Sequence, residues 1–180
     1  MRRRLQFLWF QLDVIEDRER ILRDLSIGDS VGIEQRRIAR LASSPITLRI
    51  LAGKGDSLIR SAVVGNASSD DSVLSLLLND PEPNIRSAIA KRLRNGFHIM
   101  GLLHDTDEDV RASVASNGNT FSSDLSILAT DESSHVRRAA ASNHATTLTV
   151  LASLACDVDL TVADTAKGTL AILASSSHDI

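Results

Sequence analysis

The chain has 180 residues, enough for one domain with a substantial core. Hydrophobic residues make up 43% of it, charged residues 24%, and the formal net charge is −3. This composition excludes a disordered chain and is typical of a globular protein. No segment approaches the roughly 18 uninterrupted apolar residues of a membrane span. Aromatic residues are only 3%, so we expect a core of closely packed small and aliphatic side chains.

The N-terminal segment begins with three arginines and an apolar run, an arrangement similar to the start of a secretion signal. Asp13 interrupts the run and no small-residue cleavage site follows, so we expect a cytoplasmic protein. Leucines and isoleucines at helical spacing predict an amphipathic helix over residues 2–26. We predict that residues 1–27 form a capping helix over a repeat domain of residues 28–180. An interface with a partner helix, or with a second copy of the chain, is the alternative.

An internal repeat dominates the rest of the chain. The segment DTDEDVRASVASN, residues 105–117, returns with the same internal spacing as DESSHVRRAAASN, residues 131–143. An apolar residue followed by arginine marks the successive copies, and each such pair lies about 26 residues after the one before. These pairs are Ile59-Arg60, Ile85-Arg86, Val110-Arg111 and Val136-Arg137. A fixed period of this size predicts stacked structural repeats, five of them and a partial sixth from about residue 31 onward.

Each repeat contains two helical segments. The first ends at an asparagine, and we predict that these asparagines stop the helix in the left-handed conformation, at Asn66, Asn117 and Asn143. Serines and threonines such as Ser69, Thr146 and Thr147 follow, and we predict that they cap the second segment. A period of about 26 residues leaves room for one helix of two to three turns and one much shorter piece, for which a 3₁₀ helix is an option.

The repeated residues resemble those of the leucine-rich repeat variant family, and more distantly HEAT repeats. The shared pattern is D-x4-[VI]-R-x2-[VA]-[AV]-x-N, followed by Ser or Thr and then L-x2-L, and it covers roughly residues 31–173. The resemblance implies alternating α and 3₁₀ helices in a right-handed superhelix. We therefore expect an all-α, right-handed helical-repeat solenoid.

The chain departs from the family pattern in three ways. Ala67, Gly118 and His144 follow the asparagines where the family has proline, and Arg92 stands where asparagine is expected. Some family members carry an iron–sulfur cluster in a cysteine-rich N-terminal segment, which this chain does not contain. The resemblance therefore implies no cofactor here, and we expect none.

Aspartate and arginine alternate along the repeats at a six-residue separation. The pairs are Asp80 with Arg86, Asp105 with Arg111, and Asp131 with Arg137. A guanidinium has five N–H donors and can cross-link the carbonyls at helix ends. We expect a structural ladder in which each aspartate binds backbone amides, or the arginine of its own or the adjacent repeat. Ligand binding by the ladder is the alternative.

No motif predicts a metal site or catalysis. Asp105, Asp107 and Asp109 alternate as in a calcium loop, but Val110 and Ser116 occupy the positions that need glycine and glutamate. Five histidines lack the spacing of a helical zinc pair. They lie at positions 98, 104, 135, 144 and 178. The segment from Gly53 to Asp56 does not meet the pattern of a phosphate loop and is predicted to be a loop between helices. Cys156 is predicted to be a buried, inert thiol.

Charge is distributed unevenly and gives the only indication of a partner. Residues 1–94 contain 16 Lys and Arg against 12 Asp and Glu, a difference of +4, and residues 95–180 contain 4 against 11, a difference of −7. We predict a non-enzymatic scaffold that binds another protein, with Arg92, Arg94 and Arg138 as candidate partner-binding residues. Ser61, Ser87 and Ala112 are the repeat equivalents of Arg138. Nucleic-acid binding through the basic half is the alternative, against which the near lack of stacking aromatics counts.

Overall fold

The computed structural model describes residues 30–176, so the capping helix predicted for residues 1–27 lies outside the described residues. All regular structure in the described range is helical, without a β-strand. The chain divides into two compact bodies, an N-terminal body that ends at Leu77 and a C-terminal body that begins at Leu78. The predicted all-α class is confirmed.

The described part of the N-terminal body contains four α-helices and one 3₁₀ helix. They are α1 (Ser30–Leu41), α2 (Pro45–Lys54), α3 (Ser57–Gly65), α4 (Asp71–Leu74) and the 3₁₀ helix Ser75–Leu77. Asp56 starts α3 by accepting a hydrogen bond from the Ile59 amide at 2.9 Å. Helices α1 and α3 pack side by side, and Ala39 and Val63 are fully buried in this body.

The described part of the C-terminal body contains seven α-helices. They are α5 (Pro83–Arg92), α6 (Gly96–Met100), α7 (Glu108–Ser116), α8 (Ser122–Leu128), α9 (Ser134–Ser142), α10 (Leu148–Leu154) and α11 (Leu160–Ser176). The longer helices pack in series, α5 on α7, α7 on α9 and α9 on α11. The short helices lie between them in sequence and close the other side of the core.

Helices of two lengths alternate along the repeats. The longer ones, α3, α5, α7 and α9, have 9 or 10 residues. The shorter ones, α4, α6, α8 and α10, have 4 to 7 residues. The helical-repeat architecture is thus confirmed. The expectation of alternating 3₁₀ helices is wrong for α6, α8 and α10, since only α4 continues into a 3₁₀ segment within the described residues.

A strip of aliphatic side chains runs through each body at the repeated positions. Val110 and Val114 are one helical turn apart on α7, and both are completely buried. The equivalent residues of the other longer helices are at most 4% exposed: Ile59, Val63, Ile85, Ile89, Val136 and Ala140. Burying a valine or isoleucine side chain contributes about 1.5–3 kcal/mol. The apolar pairs one turn apart therefore determine which face of each longer helix turns inward.

The repeated asparagines do end the helices, but in a conformation that differs from the prediction. Asn66, Asn117 and Asn143 follow α3, α7 and α9 with φ of −75°, −76° and −81° and ψ near the extended region. Their backbone is therefore not left-handed. The physical reason is that each asparagine side chain is drawn into the preceding repeat, where it binds carbonyl groups.

Among the serines and threonines after these asparagines, Thr147 caps the second segment as predicted, accepting from the Val150 amide at 3.4 Å, whereas Ser69, Thr120 and Thr146 do not. Instead, the hydroxyls of Ser69, Thr120 and Thr146 donate at 2.6 Å to carbonyls in the last turn of the preceding longer helix. Caps of the short helices come from the following residues, such as Asp70, whose carboxylate accepts from the Val73 amide at 3.1 Å. The repeated hydroxyls therefore satisfy a helix C-terminus.

Two local predictions are also corrected. The segment from Gly53 to Asp56 is not simply a loop, because Gly53 lies inside α2 and Asp56 is the N-cap of α3. Cys156 is exposed instead of buried. It lies just beyond α10, where the chain turns toward α11, and the core positions of this turn are occupied by Leu151 and Leu154.

Candidate functional site

Three arginines join consecutive repeats of the C-terminal body. Each guanidinium donates from Nε and Nη2 to both carboxylate oxygens of an aspartate in the next repeat, at 2.7 to 2.9 Å. The pairs are Arg86 with Asp105, Arg111 with Asp131, and Arg137 with Asp157. Such two-pronged, charge-assisted contacts are among the stronger hydrogen bonds in proteins.

The same arginines also bind the backbone of their own repeat. Nη1 of Arg111 donates to the carbonyl of Asp105 at 2.9 Å, and Nη1 of Arg86 donates to that of Asp80 at 2.7 Å. Arg137 repeats the contact with the Asp131 carbonyl at 2.9 Å. We call these residues the Arg–Asp ladder: Asp80, Arg86, Asp105, Arg111, Asp131, Arg137 and Asp157.

The ladder shows what the six-residue spacing in the sequence represents. The spacing corresponds to the contact between an arginine and the backbone carbonyl of the aspartate six positions earlier. The carboxylates of Asp105, Asp131 and Asp157 instead bind the arginine of the preceding repeat, 19 or 20 residues upstream. Asp157 belongs to the ladder although the spacing did not predict it, since Ala163 stands where the next arginine would be. Its signal was its position, which is the equivalent of Asp131 in the following repeat.

The ladder carboxylates of Asp105, Asp131 and Asp157 are half-buried and have lowered pKa values. At Asp105 and Asp157 the hydrogen bonds from Arg86 and Arg137 lower the pKa below the usual aspartate range. At Asp131 burial acts to raise the pKa, and the hydrogen bonds from Arg111 and from the Ser133 amide outweigh it, so the pKa is lowered there too. The folded protein therefore holds these aspartates ionised.

A second set of inter-repeat contacts comes from the asparagines. Nδ2 of Asn117 donates to the carbonyls of Ala90 and Leu93 in the preceding repeat, at 2.6 and 2.8 Å, and its Oδ1 accepts from the Asn119 amide at 2.8 Å. Asn66 and Asn143 make equivalent contacts. Because these amides are buried and fully paired, their repetition is explained by the architecture.

The candidate partner-binding arginines lie apart from the ladder. Arg92 is the last residue of α5 and is half-buried, while Arg94 is exposed in the turn that follows. Arg138 is exposed on α9, with Nη2 3.4 Å from His135 Nδ1. Of its repeat equivalents, Ser61 is exposed and Ser87 is half-buried. Ala112, however, is only 4% exposed, so the expectation of an exposed side chain is wrong at this position.

Open grooves separate neighbouring longer helices within each body. In the N-terminal body a groove of about 380 Å³ lies between α1 and α3 and is lined by Arg36, Arg40, Leu58, Ser61, Ala62 and Gly65. In the C-terminal body a groove of about 400 Å³ lies between α5 and α7. Its lining includes Ser87, Lys91, Asp109, Ala112 and Ser116. We call these the first and second grooves.

The two grooves occupy the same register of the repeat. Positions 36 and 40 of the first groove correspond to 87 and 91 of the second, two repeats later, and positions 58, 61, 62 and 65 correspond to 109, 112, 113 and 116. Small residues at positions 61, 65, 112 and 116 keep the grooves open. The residue types at the groove positions differ between repeats, whereas the residues of the ladder and the asparagines recur. The grooves are therefore the part of the surface whose side chains differ from one repeat to another.

A half-buried histidine and a buried aspartate stand at equivalent positions of neighbouring repeats. They are His98 on α6 and Asp124 on α8, and valines occupy this position in other repeats. His98 Nδ1 and Asp124 Oδ2 have no hydrogen-bond partner among the described residues. Unpaired buried polar atoms reduce stability, so this pair is a local weak point of the stack.

The remaining candidate residues are accounted for locally. Asp107 caps α7 by accepting from the Asp109 and Val110 amides, so the alternating aspartates of this loop serve the ladder and a helix start. Within residues 30–176 there is no group of three or more His, Cys, Asp or Glu side chains arranged to hold a metal ion. The same range contains no helix long and apolar enough to cross a membrane.

Within each body, helical units of the same kind pack on one another, and hydrogen bonds at equivalent positions join neighbouring units. This arrangement is that of a helical-repeat protein. One solved structure to which the chain is similar is that of a leucine-rich repeat variant with a novel repetitive protein structural motif. The two share 23% sequence identity with a TM-score of 0.47, over 81% of this chain and 68% of the other. That protein belongs to the family that the repeat pattern resembles. No protein-family model and no curated protein matches the chain.

Proposed function

We propose that this chain is a non-enzymatic scaffold that binds another protein through the grooves between its longer helices. The observation that carries the proposal is the recurrence of an open groove at the same repeat positions in both bodies. Repeat proteins bind extended partners through equivalent positions of successive units. The residues that repeat serve the fold, and the residues that vary line the grooves.

The charges of the second groove favour a protein partner over a nucleic acid. Lys91 lines one side of this groove and Asp109 the other, and His135 lies 3.6 Å from Asp109. Nucleic-acid binding draws on Lys and Arg side chains that neutralise backbone phosphates, and the carboxylate of Asp109 would oppose it. A polypeptide can present both charge signs to such a surface. Nucleic-acid binding through the basic N-terminal half is therefore the second candidate, to be separated by a salt titration.

The test is capture of partners from native cells by chains whose grooves are filled. Ser61→Gln and Ser116→Gln add bulk at exposed groove positions of the two bodies. Matched controls are Ser68→Gln and Ser122→Gln, exposed serines that do not line either groove. Quantitative mass spectrometry then compares the proteins that each variant enriches, after thermal melting has shown that all variants fold equally.

The expected result is a set of proteins enriched by the wild-type chain and by both controls, and lost with the groove variants. Two results would contradict the proposal. One is that the groove variants retain every partner. The other is that binding to the wild-type chain is directed to nucleic acid, with enrichment that disappears after nuclease treatment and falls steeply with salt.

A further inference from the structure

The first groove differs from the second in its charge. Arg36 and Arg40 lie one helical turn apart on α1 and line one side, and Leu58, Ala62 and Gly65 belong to α3 on the other side. Among the described residues no acidic side chain lines this groove, whereas Asp109 lines the second. The first groove therefore combines two cations with a small apolar wall.

The two arginines are held differently from those of the Arg–Asp ladder. Nε of Arg36 donates to the Gly32 carbonyl at 3.1 Å, which orients the side chain along α1 and does not use its Nη atoms. Arg40 is exposed. Among the described side chains neither arginine forms an ion pair, while each ladder arginine is matched by a carboxylate. Within the described residues, the groove thus has guanidinium donors that no carboxylate occupies.

The spacing of these donors selects the geometry of a ligand. Residues i and i+4 of a helix have Cβ atoms about 5–6 Å apart. Alternate side chains of an extended peptide lie on one face, about 6.6 Å apart at a rise of about 3.3 Å per residue. Two carboxylates on alternate residues therefore match Arg36 and Arg40. A neighbouring aliphatic side chain of the peptide would reach Leu58, which is 56% exposed.

A nucleic acid fits this groove less well than an acidic peptide. The described lining of the groove has no aromatic side chain on which a base could stack. Its far wall is formed by Leu58, Ala62 and Gly65, which offer a phosphate backbone no further cation. Carboxylate recognition needs only the two planar guanidinium groups, each able to bind a carboxylate with two hydrogen bonds.

We propose that the first groove binds an extended acidic segment of a partner protein, with Arg36 and Arg40 pairing with carboxylates on alternate residues and Leu58 contacting an aliphatic side chain beside them. This inference rests on the proposed function and specifies the partner's chemistry at one site. Gly65 lines the groove, and a Cβ added there would have no heavy atom within 4 Å. A larger residue at this position enters open space without disturbing the helix.

The experiment measures binding of labelled peptides to the full chain by fluorescence anisotropy. The probe is a peptide of alternating glutamate and leucine, and the comparison peptide carries glutamine in place of glutamate. A third probe is an oligothymidylate of similar length. The variants are the double substitution Arg36→Gln with Arg40→Gln, and Gly65→Asp. Their matched controls are Arg49→Gln, an exposed arginine outside the groove, and Gly53→Asp, which also lies in the last turn of a helix with open space around it.

We expect the glutamate peptide to bind the wild-type chain and both controls, and to lose affinity about tenfold or more with the arginine double variant and with Gly65→Asp. The glutamine peptide should bind about tenfold more weakly than the glutamate peptide, and added salt should reduce the difference. No binding of the glutamate peptide, equal binding of both peptides, or equal binding by the arginine variant would each overturn the inference. Tighter binding of the oligothymidylate, lost with the same arginines, would overturn it in favour of a nucleic acid.

This result can be separated from the outcome for the proposed function. Cellular partners that are lost on filling the grooves, together with no binding of the glutamate peptide, would overturn only the acidic-segment inference. Binding of the glutamate peptide through Arg36 and Arg40, without partner capture from cells, would support the chemistry of the groove and overturn the proposed scaffold function.

Discussion

At the scale of single residues, the Arg–Asp ladder depends on the shape of the guanidinium group. Arg111 uses three nitrogens at once, Nε and Nη2 on the Asp131 carboxylate and Nη1 on the Asp105 carbonyl. A lysine ammonium is a compact point charge and cannot reproduce this planar set of contacts. The side chain of Asp131 is 11% exposed, so losing its arginine would leave a carboxylate with little access to water.

Replacing Arg111 with alanine should therefore lower the free energy of unfolding by about 1–3 kcal/mol, because it leaves half-buried hydrogen-bonding groups unpaired. Chemical denaturation followed by far-ultraviolet circular dichroism measures this change. Arg138→Ala is the control, since Arg138 is exposed on a neighbouring helix and its loss should change stability by about 0.5 kcal/mol or less. Equal stability of the Arg111→Ala and wild-type chains would show that the ladder does not stabilise the stack.

The ladder also makes stability depend on acid. The pKa values of Asp105, Asp131 and Asp157 are lowered in the folded chain. Their stabilising contribution is therefore complete above the unfolded-state pKa of about 3.9, and is lost as the pH falls through the folded-state values. Thermal melting at decreasing pH should show a steeper loss for the wild-type chain than for Asp105→Asn, which has already lost one such carboxylate.

The control for this acid effect is Asp164→Asn, since Asp164 is exposed on α11 and lies outside the ladder. It should retain the acid sensitivity of the wild-type chain. If the melting temperature of Asp105→Asn depends on pH in the same way as that of the wild-type chain, the Arg86–Asp105 pair makes no pH-dependent contribution to stability.

At the scale of helices, each longer helix ends where the next repeat binds it. The carbonyl of Ala90 in α5 and that of Leu93, just after α5, accept hydrogen bonds from the side chain of Asn117, one repeat later. Arg92 replaces the asparagine at the end of α5 itself, and this helix continues to Arg92 before Leu93 follows as a buried C-cap residue. The asparagine ends three of the longer helices, α3, α7 and α9, and also joins each of them to the preceding repeat.

Asn117→Ala should lower the free energy of unfolding by about 1–3 kcal/mol, because it removes two buried hydrogen bonds to the carbonyls of Ala90 and Leu93. Urea denaturation measures the effect. Asn84→Ala is the matched control, an exposed asparagine in the first turn of α5. If Asn117→Ala is as stable as Asn84→Ala, water replaces the hydrogen bonds of the Asn117 amide without a loss of folding free energy.

At the scale of the molecule, the hydrogen bonds described above join repeats that are adjacent in the sequence. The ladder pairs are 19 or 20 residues apart, and the asparagine bridges 24 to 28. In repeat proteins stability is then approximately the sum of repeat energies and nearest-neighbour interfaces. The C-terminal body contains three complete ladder pairs and two asparagine bridges of its own.

A fragment of residues 78–180 should therefore fold without the N-terminal body. We expect its circular dichroism to be helical and its unfolding cooperative, with amide hydrogen exchange slowest in α7 and α9, which have a longer helix packed on either side. The same fragment carrying Arg111→Ala is the control and should be less stable. An unfolded fragment would show that the C-terminal body depends on the residues before it.

Part of this protein follows from its sequence alone. Apolar residues such as Val110 and Val114 recur at one-turn spacing in the successive repeats that follow the first, with a period of about 26 residues. This recurrence determines which faces are buried, because helical periodicity and burial are local consequences of residue order. The helix-ending role of Asn117 and the involvement of Arg111 and its aspartates in a regular row also follow from their repetition.

Other features were decided only by the tertiary structure. Whether Asn117 adopts a left-handed or an extended backbone depends on the carbonyls of the preceding repeat, which its side chain meets only after the helices stack. The burial of Ala112, the exposure of Cys156 and the partner of each ladder carboxylate likewise depend on contacts between repeats. The grooves exist for the same reason. They are formed by side chains from two helices at once, so no single stretch of sequence contains them. The variable positions line a common surface only when neighbouring repeats are packed together.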